Sequence, residues 1–175
     1  MAILFKVIKP KRLDEAAMRK QLRNGLERMG PRMLRDYQAT TATWEHPVKF
    51  EQHTRVRKGE DAVWLEVTTA NKIYGYVDKG TKPHMIWAGI YTGKSRKKAL
   101  AFHADFTPKT QPGVLSSGPG SSGGPMIMRP YVHHPGTKAR GFTQMIEAKW
   151  RPKFLQEMQR SMKTAAKMSG HGMGK

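Results

Sequence analysis

The sequence predicts an α+β fold: a single domain with a long N-terminal helix, an antiparallel sheet of about four to six strands, and a C-terminal amphipathic helix. Three observations carry that prediction. Apolar residues recur at helical spacing near both ends of the 175-residue chain, they alternate with charged residues in between, and turn residues punctuate the alternating stretches. The domain is expected over residues 1–168, with a flexible Gly/Ser/Pro loop at 112–125 between late strands and a flexible tail at 169–175.

The first helix is expected from about Leu13 to Tyr37. Leu13, Ala17, Leu22, Leu26, Met29 and Met33 fall on one stripe, and Asp14 and Glu15 place negative charge at the helix start. Gly30-Pro31 is expected to break or kink it. From Val48 to Arg57, apolar and polar residues alternate with charged ones, the period of a half-buried strand. Lys58-Gly59-Glu60-Asp61 supplies a turn, and Val63, Leu65 and Val67 complete a hairpin. A third strand is expected from Lys72 to Asp78, with short strands at Ala99–Phe102 and Met126–Met128.

The segment from Pro112 to Pro125 is almost wholly Gly, Ser and Pro and can hardly pack a core. Gly118, Gly120, Gly123 and Gly124 are therefore candidates for an arm that orders on assembly. The last helix is expected from about Thr137 or Phe142 to Met168. Phe142, Ile146, Trp150, Phe154, Met158 and Met162 recur every four residues, widened by Met145 and Leu155, and Pro152 is expected to kink the helix.

Composition narrows function. Lys and Arg number 32 against 13 Asp and Glu, a formal net charge of +19, which favours polyanionic partners through steering and counterion release. Lys149, Arg151, Lys153, Arg160, Lys163 and Lys167 on the last helix are the candidate contacts to DNA or to an acidic protein. No apolar run approaches the ~20 residues of a transmembrane helix, so no membrane partner is expected. Met1–Phe5 is too short for a signal-peptide core, which points to synthesis in the cytoplasm. The absence of Cys excludes disulfides, thiol catalysis and Cys-bound zinc.

His84, His103, His133 and His134, with Asp78 and Asp105, raise the idea of a metal-dependent nuclease, but their spacing matches no metal motif such as HExxH. No GxSxG nucleophile elbow is present. No catalytic residue, cofactor or metal site is therefore expected. Sequence-independent contact with phosphates stays open.

One constellation is more specific. Tyr74-Gly-Tyr-Val-Asp78 leads into Gly80-Thr81-Lys82-Pro83-His84; Lys98-Ala-Leu-Ala-Phe102 follows; then come Val132-His133-His134-Pro135-Gly136-Thr137-Lys138-Ala139-Arg140 and Phe142. Asp78, Gly80, Thr81, Pro83, His84, His134, Pro135, Gly136 and Thr137 form the candidate fold-setting motif. Gly80 suits a sharp turn, Pro135-Gly136 a type II turn, and Thr137 the N-cap of the last helix. In order and spacing the constellation resembles the neck and tail-completion proteins of long-tailed bacteriophages, over roughly Tyr74 to Ile146.

That resemblance implies a virion structural protein without enzymatic activity. It implies a ring at the head–tail junction, sixfold like the tail, between head-completion proteins and tail-terminator or tube proteins. Double-stranded DNA would pass through or near the ring. The alternative from the charge is a free, sequence-independent nucleic-acid-binding protein.

Overall fold

The computed structural model describes residues 12–56, 63–116 and 118–171. The elements run α1 (Glu15–Ala39), β1 (Glu51–Val56), β2 (Val63–Thr68), α2 (Lys72–Lys79), β3 (His84–Trp87), a 3-10 turn (Gly89–Thr92), β4 (Leu100–Thr107), β5 (Ser121–Arg129), β6 (Tyr131–His134) and α3 (Phe142–Met168). The class is α+β, with a long helix towards each end. The strands pair as three two-stranded ladders, β1–β2, β3–β6 and β4–β5, the latter two antiparallel. The turn expected at Lys58–Asp61 lies outside the described residues, as do Ser117 and residues 172–175.

Within the span read as one domain, the chain forms two compact units: Met1–Arg32, Gln52–Val67 and Trp150–Lys175 in the first, Met33–Glu51 and Thr68–Lys149 in the second. In the first unit, Asp14 accepts hydrogen bonds from the backbone N–H groups of Ala16 and Ala17, capping α1. Leu26, Met29, Trp150 and Ala165 are buried there. Full burial of an apolar side chain the size of Leu26 stabilises by about 1.5–3 kcal/mol. Gly25 lies against Ser161, and the guanidinium of Arg28 donates to Glu157 (Nε to Oε1, 3.2 Å).

In the second unit the core is a ladder of aromatic rings. Tyr37 meets Phe50 at 5.4 Å, Phe50 meets Tyr74 edge-on at 4.9 Å, and Tyr74 stacks on Phe142 at 5.9 Å. One end of the ladder belongs to α1, the middle to the chain before β1 and to α2, and the other end to α3.

Three expectations change. Lys72–Asp78 is a helix, α2, because Asn71 caps it: its side chain accepts the N–H of Tyr74 at 3.1 Å. Ile73 and Val77, four residues apart, fit both a strand face and a helix face, so their spacing alone does not discriminate. Second, α1 continues through Gly30-Pro31 without a break, and α3 likewise runs on through Pro152.

Third, the apolar line along α3 does not stay buried. Steps of four residues rotate about 40° per step around a helix of 3.6 residues per turn. Phe142, Ile146 and Trp150 are buried, while Phe154, Leu155 and Met162 are exposed and Ser161 and Ala165 take the inner face.

Candidate functional site

The residues singled out between Tyr74 and Phe142 converge in the second unit. α2 ends at Gly80, whose φ of 77° is costly for any residue with a side chain. The last carbonyls of α2 are satisfied from a distant part of the chain: Val77 O accepts Arg140 N–H at 3.1 Å, and Asp78 O accepts Gly141 N–H at 3.0 Å. The Asp78 side chain is buried and works in the other direction. Its carboxylate accepts the N–H of Thr143 at 3.1 Å and the Thr143 hydroxyl at 2.7 Å, both in the first turn of α3. That turn contains no acidic residue of its own. Asp78 therefore supplies the negative charge and the acceptor that an α-helix N-terminus needs.

Thr137 is consequently not the N-cap of α3, which begins five residues later. It forms an antiparallel bridge with Thr81 (Thr81 N to Thr137 O, 2.9 Å; Thr137 N to Thr81 O, 3.1 Å), and the Thr81 hydroxyl also accepts the Thr137 N–H. The backbones pass closely enough that a Cβ on Gly80 would lie 2.6 Å from Thr137 O. One on Gly136, at φ 89°, would collide with Thr81 O.

Beyond Pro83 and Pro135 the same approach continues as β3–β6, with His84 opposite His134 and Trp87 opposite Tyr131. The His84 and His134 rings stack at 5.1 Å. His134 Nδ1 accepts the N–H of Gly136 at 3.0 Å, and His84 Nδ1 lies 2.8 Å from Lys82 O. All nine motif residues thus meet in one two-stranded clasp that ties α2 to the start of α3. The side chains of Asp78, Thr81, His84 and His134 hold backbone or a ring there, and Thr137 is held through its backbone.

The other histidines do not join them. His133 takes the opposite face of β6 and His103 pairs with Gly124 O at 3.2 Å. Among the described residues, no group of three or more His, Asp or Glu side chains could hold a metal ion. No helix of the described residues is long and apolar enough to cross a membrane.

The glycine-rich segment is engaged by the chain itself. Gly118 N–H donates to Lys109 O at 2.6 Å, and Gly118 O accepts the Thr43 hydroxyl at 3.0 Å. Gly123 pairs with Asp105 within β4–β5, and Gly120 and Gly124 adopt positive φ. The loop is therefore shorter than composition suggests, because β5 takes in Ser121 to Pro125. Strand pairing uses main-chain groups, which a Gly/Ser sequence retains. Most positions of β4 and β5 are exposed, including Phe102, Phe106, Met126 and Met128, so this ribbon presents apolar side chains to solvent.

The six basic candidates on α3 separate. Lys149 pairs with Asp36 (Nζ to Oδ2, 2.8 Å), Lys153 lies over the Trp150 ring at 4.8 Å, and Arg151 has a partner within the chain. Arg160, Lys163 and Lys167 share a shallow groove with Gln156, Gln159 and Thr164. Those positions follow the i, i+3, i+4, i+7 rule and make one straight stripe along α3.

Sequence reasoning assigns no separate role to Arg140. It is buried, and its Nε donates to the Thr110 hydroxyl at 3.2 Å and its Nη1 to Lys138 O at 3.0 Å. Thr110 is thirty residues away in sequence, so no local signal marks the pair. No protein-family model, curated protein or solved structure matches the chain.

Proposed function

We propose that this chain is a structural component of a tailed-phage virion: a neck or tail-completion protein, without catalytic activity, that assembles as a ring at the head–tail junction. Its partners are further copies of itself, six to a ring, and the head-completion and tail-terminator or tube proteins on either side. Double-stranded DNA passes through or near the ring. The chain is made in the host cytoplasm and ends in the particle.

The observation that carries this reading is the β4–β5 ribbon. A two-stranded hairpin is marginal alone in water, and this one leaves Phe106 73% and Met128 67% exposed. An assembly subunit completes such a ribbon against its neighbours. Asp78, Thr81, His84 and His134 of the clasp spend their side chains on contacts within the chain, which suits a scaffold. The ordered constellation from Tyr74 to Phe142 supports the same family.

The test is quantitative mass spectrometry of gradient-purified particles after nuclease and high-salt washing. A low, fixed copy number near a multiple of six is expected. Absence, or loss with the salt wash, overturns the virion reading.

The α3 stripe favours a second reading, a free sequence-independent DNA-binding protein. Its side chains are of the types that contact phosphates. Among the described residues, Arg160, Lys163 and Lys167 form no ion pair. In that case duplex affinity falls steeply with salt, and replacing these three by Gln lowers the log–log slope by about 0.9 for each phosphate no longer neutralised.

A further inference from the structure

The second unit carries a pocket of about 620 Å³, one wall of which is Phe106 of the β4–β5 ribbon. Its size is that of a small-ligand site, and its walls are mainly apolar: Trp44, Ile73, Val77 and Phe106. Ile73 and Phe106 are 63% and 73% exposed, so these walls stand open to whatever fills the space.

The charge of the lining is unbalanced. Arg140 is only 8% exposed, yet its bonds go to neutral acceptors, the Thr110 hydroxyl and the Lys138 carbonyl. No carboxylate partners it among the described residues. Lys109, beside it, likewise donates to a neutral group, Thr43 O at 2.9 Å. With Lys138, three cations face this space against one carboxylate, the exposed Glu45. A guanidinium removed from water without a counter-charge is unfavourable, and two bonds leave part of its five-donor fork uncommitted. The backbone keeps it there regardless: Arg140 O accepts the N–H of Gly113, and Arg140 N–H is held by Val77 O.

We propose that this pocket binds a small apolar carboxylate, its two oxygens on the Arg140 fork and its hydrocarbon or aryl part against Trp44, Ile73, Val77 and Phe106. The planar fork matches a carboxylate bidentately. An oxyanion such as phosphate, hydrated on every side, would gain nothing from the apolar walls.

The proposal is independent of the virion reading, since a chain absent from particles would still bind. The experiment titrates the full chain with 3-phenylpropionate, 3-phenylpropionamide and inorganic phosphate, following the Trp44 indole and Arg140 side-chain signals by NMR. Saturable shifts with the carboxylate are expected, at least about tenfold weaker binding of the amide, and no competition by phosphate. Failure of the carboxylate to bind, equal binding of the amide, or displacement by phosphate overturns it. Phe106→Ala and Ile73→Ser replace exposed side chains, so folding is not at stake. They should weaken carboxylate binding several-fold; unchanged affinity in both would place the ligand elsewhere and overturn the assignment.

Discussion

The carboxylate of Asp78, at the end of α2, accepts both the backbone N–H and the hydroxyl of Thr143, in the first turn of α3, at 3.1 and 2.7 Å. One side chain thus closes a helix start that is sixty-five residues away. Asp78→Ala removes the acceptor of both bonds from the first turn of α3. A loss of about 2 kcal/mol is expected in urea unfolding. Thr143→Ala removes the hydroxyl bond alone and should cost about 1 kcal/mol. Equal losses in the two variants would mean that the hydroxyl bond, and not the helix end, carries the effect.

The glycines divide by sign. A Cβ on Gly136 would strike the Thr81 carbonyl at a φ of 89°. Gly136→Ala should therefore cost about 2 kcal/mol or more and open the Thr81–Thr137 bridge. Gly75, inside α2, faces open space: no atom lies within 4 Å of where its Cβ would stand. Gly75→Ala should stabilise by about 0.5–1 kcal/mol. Thermal unfolding midpoints check both, and a destabilising Gly75→Ala would show that α2 is not helical at that position.

These two pairs also mark what is legible in the sequence. The long helices are readable because their apolar periods run over many turns: the stripe predicts Leu13 to Tyr37, and the helix spans Glu15–Ala39. α2 reads as a strand because eight residues hold too few turns to separate the periods, although Asn71 before Tyr74 is a capping signal. The meeting of Thr81 with Thr137 is not readable, since it depends on a fifty-six-residue closure. The Arg140–Thr110 contact is hidden for the same reason. The first half of β5 reads as loop because composition reports side chains, and its pairing rests on the backbone.

Where α1 and α3 pack in the first unit, Ser161 has a buried hydroxyl with no hydrogen bond among the described residues. Leaving it unsatisfied costs stability, so Ser161→Ala should stabilise by about 1 kcal/mol. A Cβ on Gly25 would lie 2.5 Å from that hydroxyl oxygen. Gly25→Ala alone should destabilise, and most of the loss should vanish in the Ser161→Ala background. A double-mutant cycle measures this coupling; additive effects would show that the helices do not approach at these positions.

The aromatic ladder makes the protein sensitive to alkali in a defined direction. Burial raises the ionisation of Tyr74 well above the ordinary tyrosine value of 10.0, the Asp78 carboxylate adds to the shift, and the neighbouring Thr40 hydroxyl opposes it. Tyr37 is raised as well, again chiefly by burial. A folded-state pKa above the unfolded one means that the folded protein holds the phenol proton more tightly. The associated stability is complete below about pH 10 and is lost as pH rises above it, because the unfolded chain ionises first. Urea unfolding measured from neutral to strongly alkaline pH should show this decline, and ultraviolet absorbance should show a late-titrating tyrosinate component. Tyr74→Phe should remove most of that component and flatten the decline. A decline of unchanged steepness in Tyr74→Phe would assign the alkaline instability to another group and remove Tyr74 from the buried ladder.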